Sequence, residues 1–272
     1  MTELRPAALA FDAVARAFDE RFGEWRSVTA QRDAVRRALL AVLPKGGHVL
    51  ELGGGTGEDA VWLARRGFNL VLTDASPAMV DLANAKLAPF NARAEAVAAE
   101  ELGAFAELHF AAGEPAFDGV FSNFAPLNCV DDLEPVARAL ARLVKPGGSA
   151  MLVLFGVLSP GEILVELLRG RRHQALRRFH RGAVPAKLGG RHFVVRYHRG
   201  RAICSAMLPW FRPVRRLGIG VFVPPSAAEP WISRHPMLLG FLETLDRLAN
   251  RPLAVLGDHI LYQFERTDAA AP

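Results

Sequence analysis

Cysteine and tyrosine are scarce, with two of each in 272 residues. Cys129 and Cys204 stand far apart, too few for a disulfide scaffold and unable to form a four-cysteine zinc site. They fit a reduced, cytoplasmic setting. No apolar run approaches the roughly 18 residues of a membrane span. The start, MTELRPAALAFDAVARAF, lacks a basic stretch leading into an apolar core, so no secretory leader is expected. The eight histidines show no metal-ligand spacing, and no Ser-His-Asp set is visible. Against these absences, 51% of the residues are hydrophobic and the mean hydropathy is +0.15. That is enough for a sizeable core in one large domain, or in one domain with an insertion.

Acidic residues are missing from one long stretch. From Leu168 to Ala228 there is no Asp or Glu, while 14 Lys or Arg fall there. The other 19 basic residues face all 28 acidic ones, a net of −9, so the pI of about 9.7 belongs to one segment. Such a segment makes a strong local positive potential.

The order of elements follows from periodicity. Phe11, Val14, Phe18 and Phe22 recur at helical spacing, and after a break at Gly23 so do Val28, Val35, Leu39 and Val42. Short apolar runs then alternate with helical patterns. Strands are expected at 48–52, 68–73, 92–98, 117–122 and 149–155, and helices after the first, second and fourth. Ser76-Pro77 reads as an N-cap followed by proline at the first helical position. This alternation predicts a parallel sheet with helices on both faces. Beyond Phe155 the rhythm breaks into a basic, irregular stretch with a helix-like start at 162–168. A strand over 214–223, a helix over 237–248 and a final strand over 259–265 follow. The chain thus divides into an N-terminal helical cap (1–44), an α/β core (45–155), a basic insertion (156–212) and closing strands and helix (213–267).

Between the first strand and its helix lies Glu51-Leu52-Gly53-Gly54-Gly55-Thr56-Gly57. Glycines there permit a tight turn and close ligand approach, and the following helix offers free amides. Asp74 closes the second strand, where an acid can accept both ribose hydroxyls of a nucleoside. A dinucleotide fingerprint would need glycine at position 58, which is Glu. A pyrophosphate is ill matched to Glu51 and Glu58. A sulfonium cofactor with an ammonium group suits them.

VLELGGGTGEDA followed by LTDASPAMVDLA resembles the first two motifs of class I S-adenosylmethionine-dependent methyltransferases, in the flavour of the small-molecule group that includes the ubiquinone and menaquinone biosynthesis enzymes. FDGVFSNFAPLNCV resembles the family's fourth-strand motif, and LARLVKPGGSAMLVLF the segment entering the fifth strand. The resemblance covers roughly residues 8 to 155 and resumes in the last strands. It implies an α/β, doubly wound, Rossmann-like sheet of seven strands with the last antiparallel. It also implies S-adenosylmethionine as cofactor, S-adenosylhomocysteine as product, and no metal. Carried over by position, Glu51, Gly53 and Gly55 line the methionine end, and Asp74 holds the ribose. Ala75 and Met79 flank the adenine, and Ser122 offers backbone to the methionine moiety. Where an acid near the adenine amine is usual the chain has Ala98, and Glu100 is the substitute. Phe18 stands where such enzymes commonly carry tyrosine.

Methyl transfer from a sulfonium is an in-line displacement with a good leaving group. Positioning and water exclusion come first, and a base is needed only for a protonated, weakly acidic nucleophile. An antiparallel last strand would begin at the edge where the parallel strands end. That puts Asp258 and His259 there, with Asn123 and Asn128. His259 is the candidate base, Asn128 the candidate for orienting substrate, and Asp258 a strand-start turn residue. The basic insertion, placed after strand 5, would cover substrate. Its arginines suit carboxylate or phosphate, and the interleaved Leu176, Phe179, Phe193, Met207 and Trp210 suit a lipid or hydrophobic small molecule. The expected acceptor is therefore a small acidic or amphipathic molecule methylated on O, N or C, with peripheral contact to an anionic membrane as a further role. Nucleic acid is less well matched, since single-stranded RNA wants more stacking platforms. Two rival readings are an RNA methyltransferase using the insertion, and a non-catalytic cofactor-binding regulator. Arg171, Arg172, Arg177 and Arg178 are expected to act on substrate rather than cofactor.

Overall fold

A computed structural model describes residues 4–23 and 25–270. Residues 1–3, where the expected cap begins, lie outside the described residues. Three helices open the chain: α1 (Pro6–Asp12), α2 (Ala15–Gly23) and α3 (Arg26–Leu40). The aromatic spacing predicts a single helix where α1 and α2 stand. The break goes with contacts distant in sequence, because each half follows its own anchor. Asp12 Oδ1 accepts from Ser76 Oγ and from the Ala78 amide, both at 2.9 Å. Asp19 accepts from Thr56 Oγ1 at 2.5 Å.

The alternating region forms β1 (His48–Leu52), α4 (Glu58–Ala64), β2 (Asn69–Asp74), α5 (Pro77–Leu87), β3 (Ala92–Ala96), α6 (Leu102–Ala111), β4 (Phe117–Ser122), α7 (Glu134–Leu143) and β5 (Val144–Phe155). α5 starts as its sequence predicts. The Ser76 hydroxyl accepts from the Met79 amide at 3.2 Å, and Pro77 follows it. Past β5 come α8 (Pro160–Leu168), α9 (Arg172–Leu176), β6 (Ala183–Leu188), β7 (Arg191–Arg196), α10 (Gly200–Met207), β8 (Phe211–Ile219), α11 (Pro236–Ala249) and β9 (His259–Arg266). Among the described residues no helix is long and apolar enough to cross a membrane.

Seven strands form one sheet in the order β3-β2-β1-β4-β5-β9-β8. β1 to β5 pair in parallel, while β9 runs antiparallel to both β5 and β8. The expected doubly wound sheet with one reversed strand is therefore present. Leu102, Phe105, Val136, Leu140, Ile203 and Met207 pack one face against α6, α7 and α10. Val35, Leu39, Leu63, Val80 and Leu87 pack the other against α3, α4 and α5. β1 is buried at four of its five residues, as a strand covered on both faces must be. Because β9 is reversed, its first residue, His259, pairs with the last residue of β5, Phe155. That register brings residues more than one hundred positions apart to a single edge.

The basic stretch is more ordered than its sequence suggests. β6 and β7 form a two-stranded hairpin in which Leu188 pairs with Arg191. Gly189 and Gly190 make the turn, both at positive φ (+56° and +78°), the signature of a two-residue hairpin. The hairpin lies on α1, with the Phe11 and Phe193 rings 6.0 Å apart.

Arg178, between α9 and β6, is 5% exposed and fastens this stretch to the sheet edge. Its guanidinium donates to the Gly156 carbonyl (2.9 Å), the Asp258 carbonyl (2.7 Å), Asp258 Oδ1 (2.6 Å) and Glu162 Oε2. Burial opposes ionisation of Asp258, but Arg178 and the neighbouring His259 outweigh it and hold the carboxyl below its ordinary range. A carboxyl depressed in this way adds stability above its ordinary pKa and loses it on acidification. Removing one member of a buried ion network strands the others, at a cost of about 3–5 kcal/mol. Arg178→Met should therefore lower the urea midpoint by a corresponding amount at neutral pH, and by less in acid. A midpoint shift worth under about 1 kcal/mol, the size of a surface pair, would show that the network does not hold the insertion.

Candidate functional site

At the end of β1 the chain turns through Gly53–Gly57 into α4. Gly53 has φ +62°, and a Cβ on it would stand 2.4 Å from Pro126, so no other residue fits. Gly55 has φ +56° with nothing within 4 Å of a Cβ, which leaves an open face on the loop. Its amide donates to Asp74 Oδ2 at 2.9 Å, and the Ser76 amide donates to Asp74 Oδ1 at 2.9 Å. Burial raises the Asp74 carboxyl above its ordinary value, partly offset by these two amides. The end of β2 and the glycine loop are thus joined by one carboxylate.

Beneath the loop lies Glu51, 2% exposed, whose Oε2 has no hydrogen-bond partner among the described residues. Its carboxyl is pushed well above the ordinary range, first by burial and then by the charge of Asp59. Asp59, on α4, is fully engaged. It accepts from Arg32 (2.7 Å) and Arg36 (2.7 Å) of α3, and from Asn123 Nδ2 (2.8 Å) after β4. Two buried acids share this place, and only one has its cations. A buried carboxylate oxygen without a donor carries a penalty that a cationic ligand would relieve.

The N-terminal helices close over the loop. Besides the Asp19–Thr56 bond, Lys86 Nζ bridges Asp19 (2.5 Å) and Glu58 (2.6 Å), and Arg5 pairs with Glu100 at 3.2 Å. Phe11, Phe18, Phe22 and Trp25 follow one another at ring separations of 4.7–6.2 Å. Phe18 thus belongs to an aromatic ladder. Met79 is fully buried and Ala75 half-buried at the start of α5. Ser122 is buried, and its hydroxyl donates to the Leu52 carbonyl at 3.0 Å, fixing the end of β4 to the end of β1. Glu51, Gly53, Gly55, Asp74, Ala75, Met79 and Ser122 therefore gather at the carboxyl edge of β1, β2 and β4. Glu100 sits beyond β3 on a short helical turn.

The proposed catalytic residues share the neighbouring edge but differ in freedom. His259 is buried, stacks on Phe155 (4.9 Å) and meets Phe124 edge-on (5.7 Å). Its Nδ1 lies 3.4 Å from Asp258 Oδ2 without a good hydrogen bond. Asn128 is fully buried. Its amide donates to the Arg196 carbonyl of β7, while its carbonyl oxygen accepts from the Phe155 amide at 3.0 Å. Asn128 thus joins the hairpin to β5. Phe124 and Ala125 both have positive φ (56° and 64°), a strained bend for residues with side chains. The signals missed in the sequence were the Gly-Gly turn of the hairpin and the reach of Asp12, Asp19, Asp59 and Arg32 across the loop.

The insertion's charge is redistributed by folding. Arg169 and Arg171 pair with Glu166, Arg177 and Arg178 with Glu162, Arg196 with Asp131, and Arg212 with Glu265. Arg171, Arg172, Arg177 and Arg178 therefore do not act as one substrate-facing set. Arg178 is buried, Arg171 and Arg177 have acidic partners, and Arg172 is exposed without one among the described residues.

Residues 49–148 match the family model described as "Methyltransferase domain". A magnesium-protoporphyrin O-methyltransferase from Rhodobacter capsulatus is 39% identical over 75 residues, 26% of this chain, and the match spans about a third (34%) of that relative. An S-adenosylmethionine-dependent methyltransferase from Mesorhizobium loti superposes with a TM-score of 0.52 at 19% identity, covering 85% of this chain and 96% of its own. A geranyl diphosphate C-methyltransferase from Streptomyces coelicolor, solved with Mg2+, geranyl diphosphate and S-adenosylhomocysteine, superposes at 0.52 and 15% identity, covering 87% and 79%. Residues 49–148 thus match a methyltransferase domain, and the fold around them is one shared with S-adenosylmethionine-dependent methyltransferases of known structure.

The residues present fit such a cofactor. The orphaned Glu51 oxygen matches an ammonium group, the open face of Gly55 leaves room, and Asp74 retains lone pairs for hydroxyls. The raised pKa of Glu51 gives a signed test. A carboxyl raised by folding stabilises the free protein only below its unfolded pKa, and that contribution is lost as pH rises through the folded pKa. Glu51→Gln should raise the melting temperature of the free protein at neutral pH, and the gain should shrink in acid. The same variant should weaken S-adenosylhomocysteine by roughly 10- to 100-fold, as for a hydrogen bond to a charged group. Unchanged affinity in calorimetric titration would remove Glu51 from the site.

Proposed function

We propose that the protein transfers a methyl group from S-adenosylmethionine to a small acidic or amphipathic acceptor. The observation that carries this reading is the unpartnered, buried Glu51 oxygen beneath an open glycine loop, with Asp74 one strand away. Glu51 receives the ammonium, Gly53 and Gly55 allow the approach, and Asp74 accepts from the ribose. Ala75 and Met79 border the base, with Glu100 at its far side. When bound, the cofactor supplies a methyl group activated by its sulfonium. The chain then has to align the acceptor and exclude water. α1, α2 and the β6–β7 hairpin form the cover, which suits that task.

His259 is the group placed to receive an acceptor's proton. It lies on the strand edge beside Phe124 and Phe155, with the Asp258 carboxylate 3.4 Å from its Nδ1. Asn128 is assigned a positioning role, because both ends of its amide are already bonded. An amphipathic acceptor is in keeping with geranyl diphosphate, which the Streptomyces coelicolor C-methyltransferase binds, and with the arginines of the insertion.

Label transfer from methyl-labelled cofactor into a small-molecule extract, with RNA in parallel, tests the activity. Label in small molecules supports the reading, label in RNA selects the nucleic-acid alternative, and cofactor binding without label selects a regulator. Asp74→Ala should weaken S-adenosylhomocysteine by about 1.5–3 kcal/mol, and a variant that keeps native affinity would overturn the ribose assignment. His259→Asn should lower turnover by about 10²–10⁴-fold while cofactor affinity holds. Equal turnover at all pH values would show that no base acts there.

A further inference from the structure

Eight of the 14 cations of the acid-free stretch have no acidic partner among the described residues, and four of them gather in one place. Arg199, Arg201, Arg215 and Arg216 line a groove of about 760 Å³ between α10 and strands β8 and β9. No Asp or Glu lines it. Arg199, Arg201 and Arg216 have no acidic partner among the described residues, unlike the six arginines spent on ion pairs. Arg215 donates to Gln263 Oε1 at 2.6 Å, and burial with the nearby Arg251 lowers its pKa. Cations held together without acids are costly unless an anion joins them.

Two further features point into the same groove. α10 begins there at Gly200, and Arg199 at its N-cap makes no capping side-chain bond, so the first-turn amides carry no protein side chain. Tyr262 is 7% exposed, lines the groove, and its hydroxyl makes no hydrogen bond among the described residues. That hydroxyl lies 3.1 Å from where a Cβ on Gly200 would stand. Burial pushes the phenol up to about 12, so it remains a neutral donor. Apart from Gln263 and Cys204, the rest of the lining is apolar, and Leu158, Val214 and Val255 in it are exposed. A volume of this size suits one small organic molecule.

We infer that this groove binds a small amphipathic organophosphate, its phosphate held by Arg199, Arg201, Arg216, the start of α10 and the Tyr262 hydroxyl, and its apolar body laid on Leu158, Val214 and Val255. Guanidinium groups match phosphate oxygens bidentately. The site is distinct from the cofactor residues. β4, β5 and β9 separate β1 from β8 in the sheet, about 19 Å at the usual strand spacing. The inference does not depend on methyl transfer.

Octyl phosphate and inorganic phosphate are the probes, titrated calorimetrically into the full chain at two salt concentrations. Octyl phosphate should bind, at least tenfold more tightly than inorganic phosphate, and more weakly at higher salt. The triple variant Arg199→Gln, Arg201→Gln, Arg216→Gln should lose at least tenfold in its affinity. Tyr262→Phe should lose a few-fold, and Gly200→Leu, which places a side chain against the hydroxyl, should block binding. All of these variants should retain S-adenosylhomocysteine affinity, which separates loss of the groove from loss of the fold. Equal octyl phosphate affinity in the triple variant overturns the site. Equal affinity for inorganic phosphate overturns the amphipathic ligand. A single-stranded oligonucleotide that binds through the same arginines and displaces octyl phosphate overturns the small-molecule assignment.

Discussion

Two carboxylates buried side by side beneath one loop set the terms for the rest of this structure. Glu51 and Asp59 cannot both be ionised and dry without cations. α3 supplies two, Arg32 and Arg36, and both go to Asp59 together with the Asn123 amide. That choice fixes α3 against α4 and brings the end of β4 to the loop. It also leaves Glu51 with an oxygen facing no donor. The fold thereby keeps a hole for positive charge at the carboxyl edge of its central strand. The elements that cover the loop, α1 and α2, are anchored by other acids, Asp12 and Asp19, to Ser76 and Thr56. The glycine loop and the helices over it are held by a set of acid contacts that leaves one Glu51 oxygen without a partner among the described residues.

The second centre is Arg178. A guanidinium that binds two backbone carbonyls and two carboxylates at once is worth more than an exposed pair, because it is desolvated and every partner is fixed. It joins the insertion to the start of β9, where Asp258 and His259 stand. The segment that looked like a basic cover is therefore built into the sheet edge, and Asn128 adds a second tie between the hairpin and β5. The fold matches part of the charge imbalance that the sequence concentrates in this stretch. Glu162, Glu166, Asp131 and Glu265, all outside the acid-free stretch, fold back to meet it.

What could be read from the sequence was what is local. Ser76-Pro77 specified the start of α5, the glycine cluster specified the turn after β1, and alternation of apolar runs specified the parallel strands. The position of Asp74 at the end of β2, beside the glycine loop, followed from its place in the strand pattern. What could not be read depends on contacts far apart in the chain. The split between α1 and α2 arises because Asp12 caps a helix more than sixty residues away. Asn128 looked like a free amide until the hairpin and β5 closed on it. The β6–β7 hairpin was legible in principle from Leu188-Gly189-Gly190-Arg191, but its strands are largely exposed, so apolar periodicity was weak there.

The pairing of some arginines and not others also argues about where selection acts in this molecule. An arginine near an acid lowers the cost of both, and folding supplied acids for Arg169, Arg171, Arg177, Arg178, Arg196 and Arg212. The four around the α10 groove received none, although Glu265 lies on the adjoining strand and is taken by Arg212. Leaving Arg199, Arg201 and Arg216 together, beside an unbonded phenol and an uncapped helix start, is a standing electrostatic penalty in the free protein. Glu51 presents the same situation with the sign reversed. Unmatched charge thus gathers, among the described residues, beneath the glycine loop as an anion and at the sheet's far edge as a cluster of cations. Each is lined by groups that a ligand of opposite charge would satisfy.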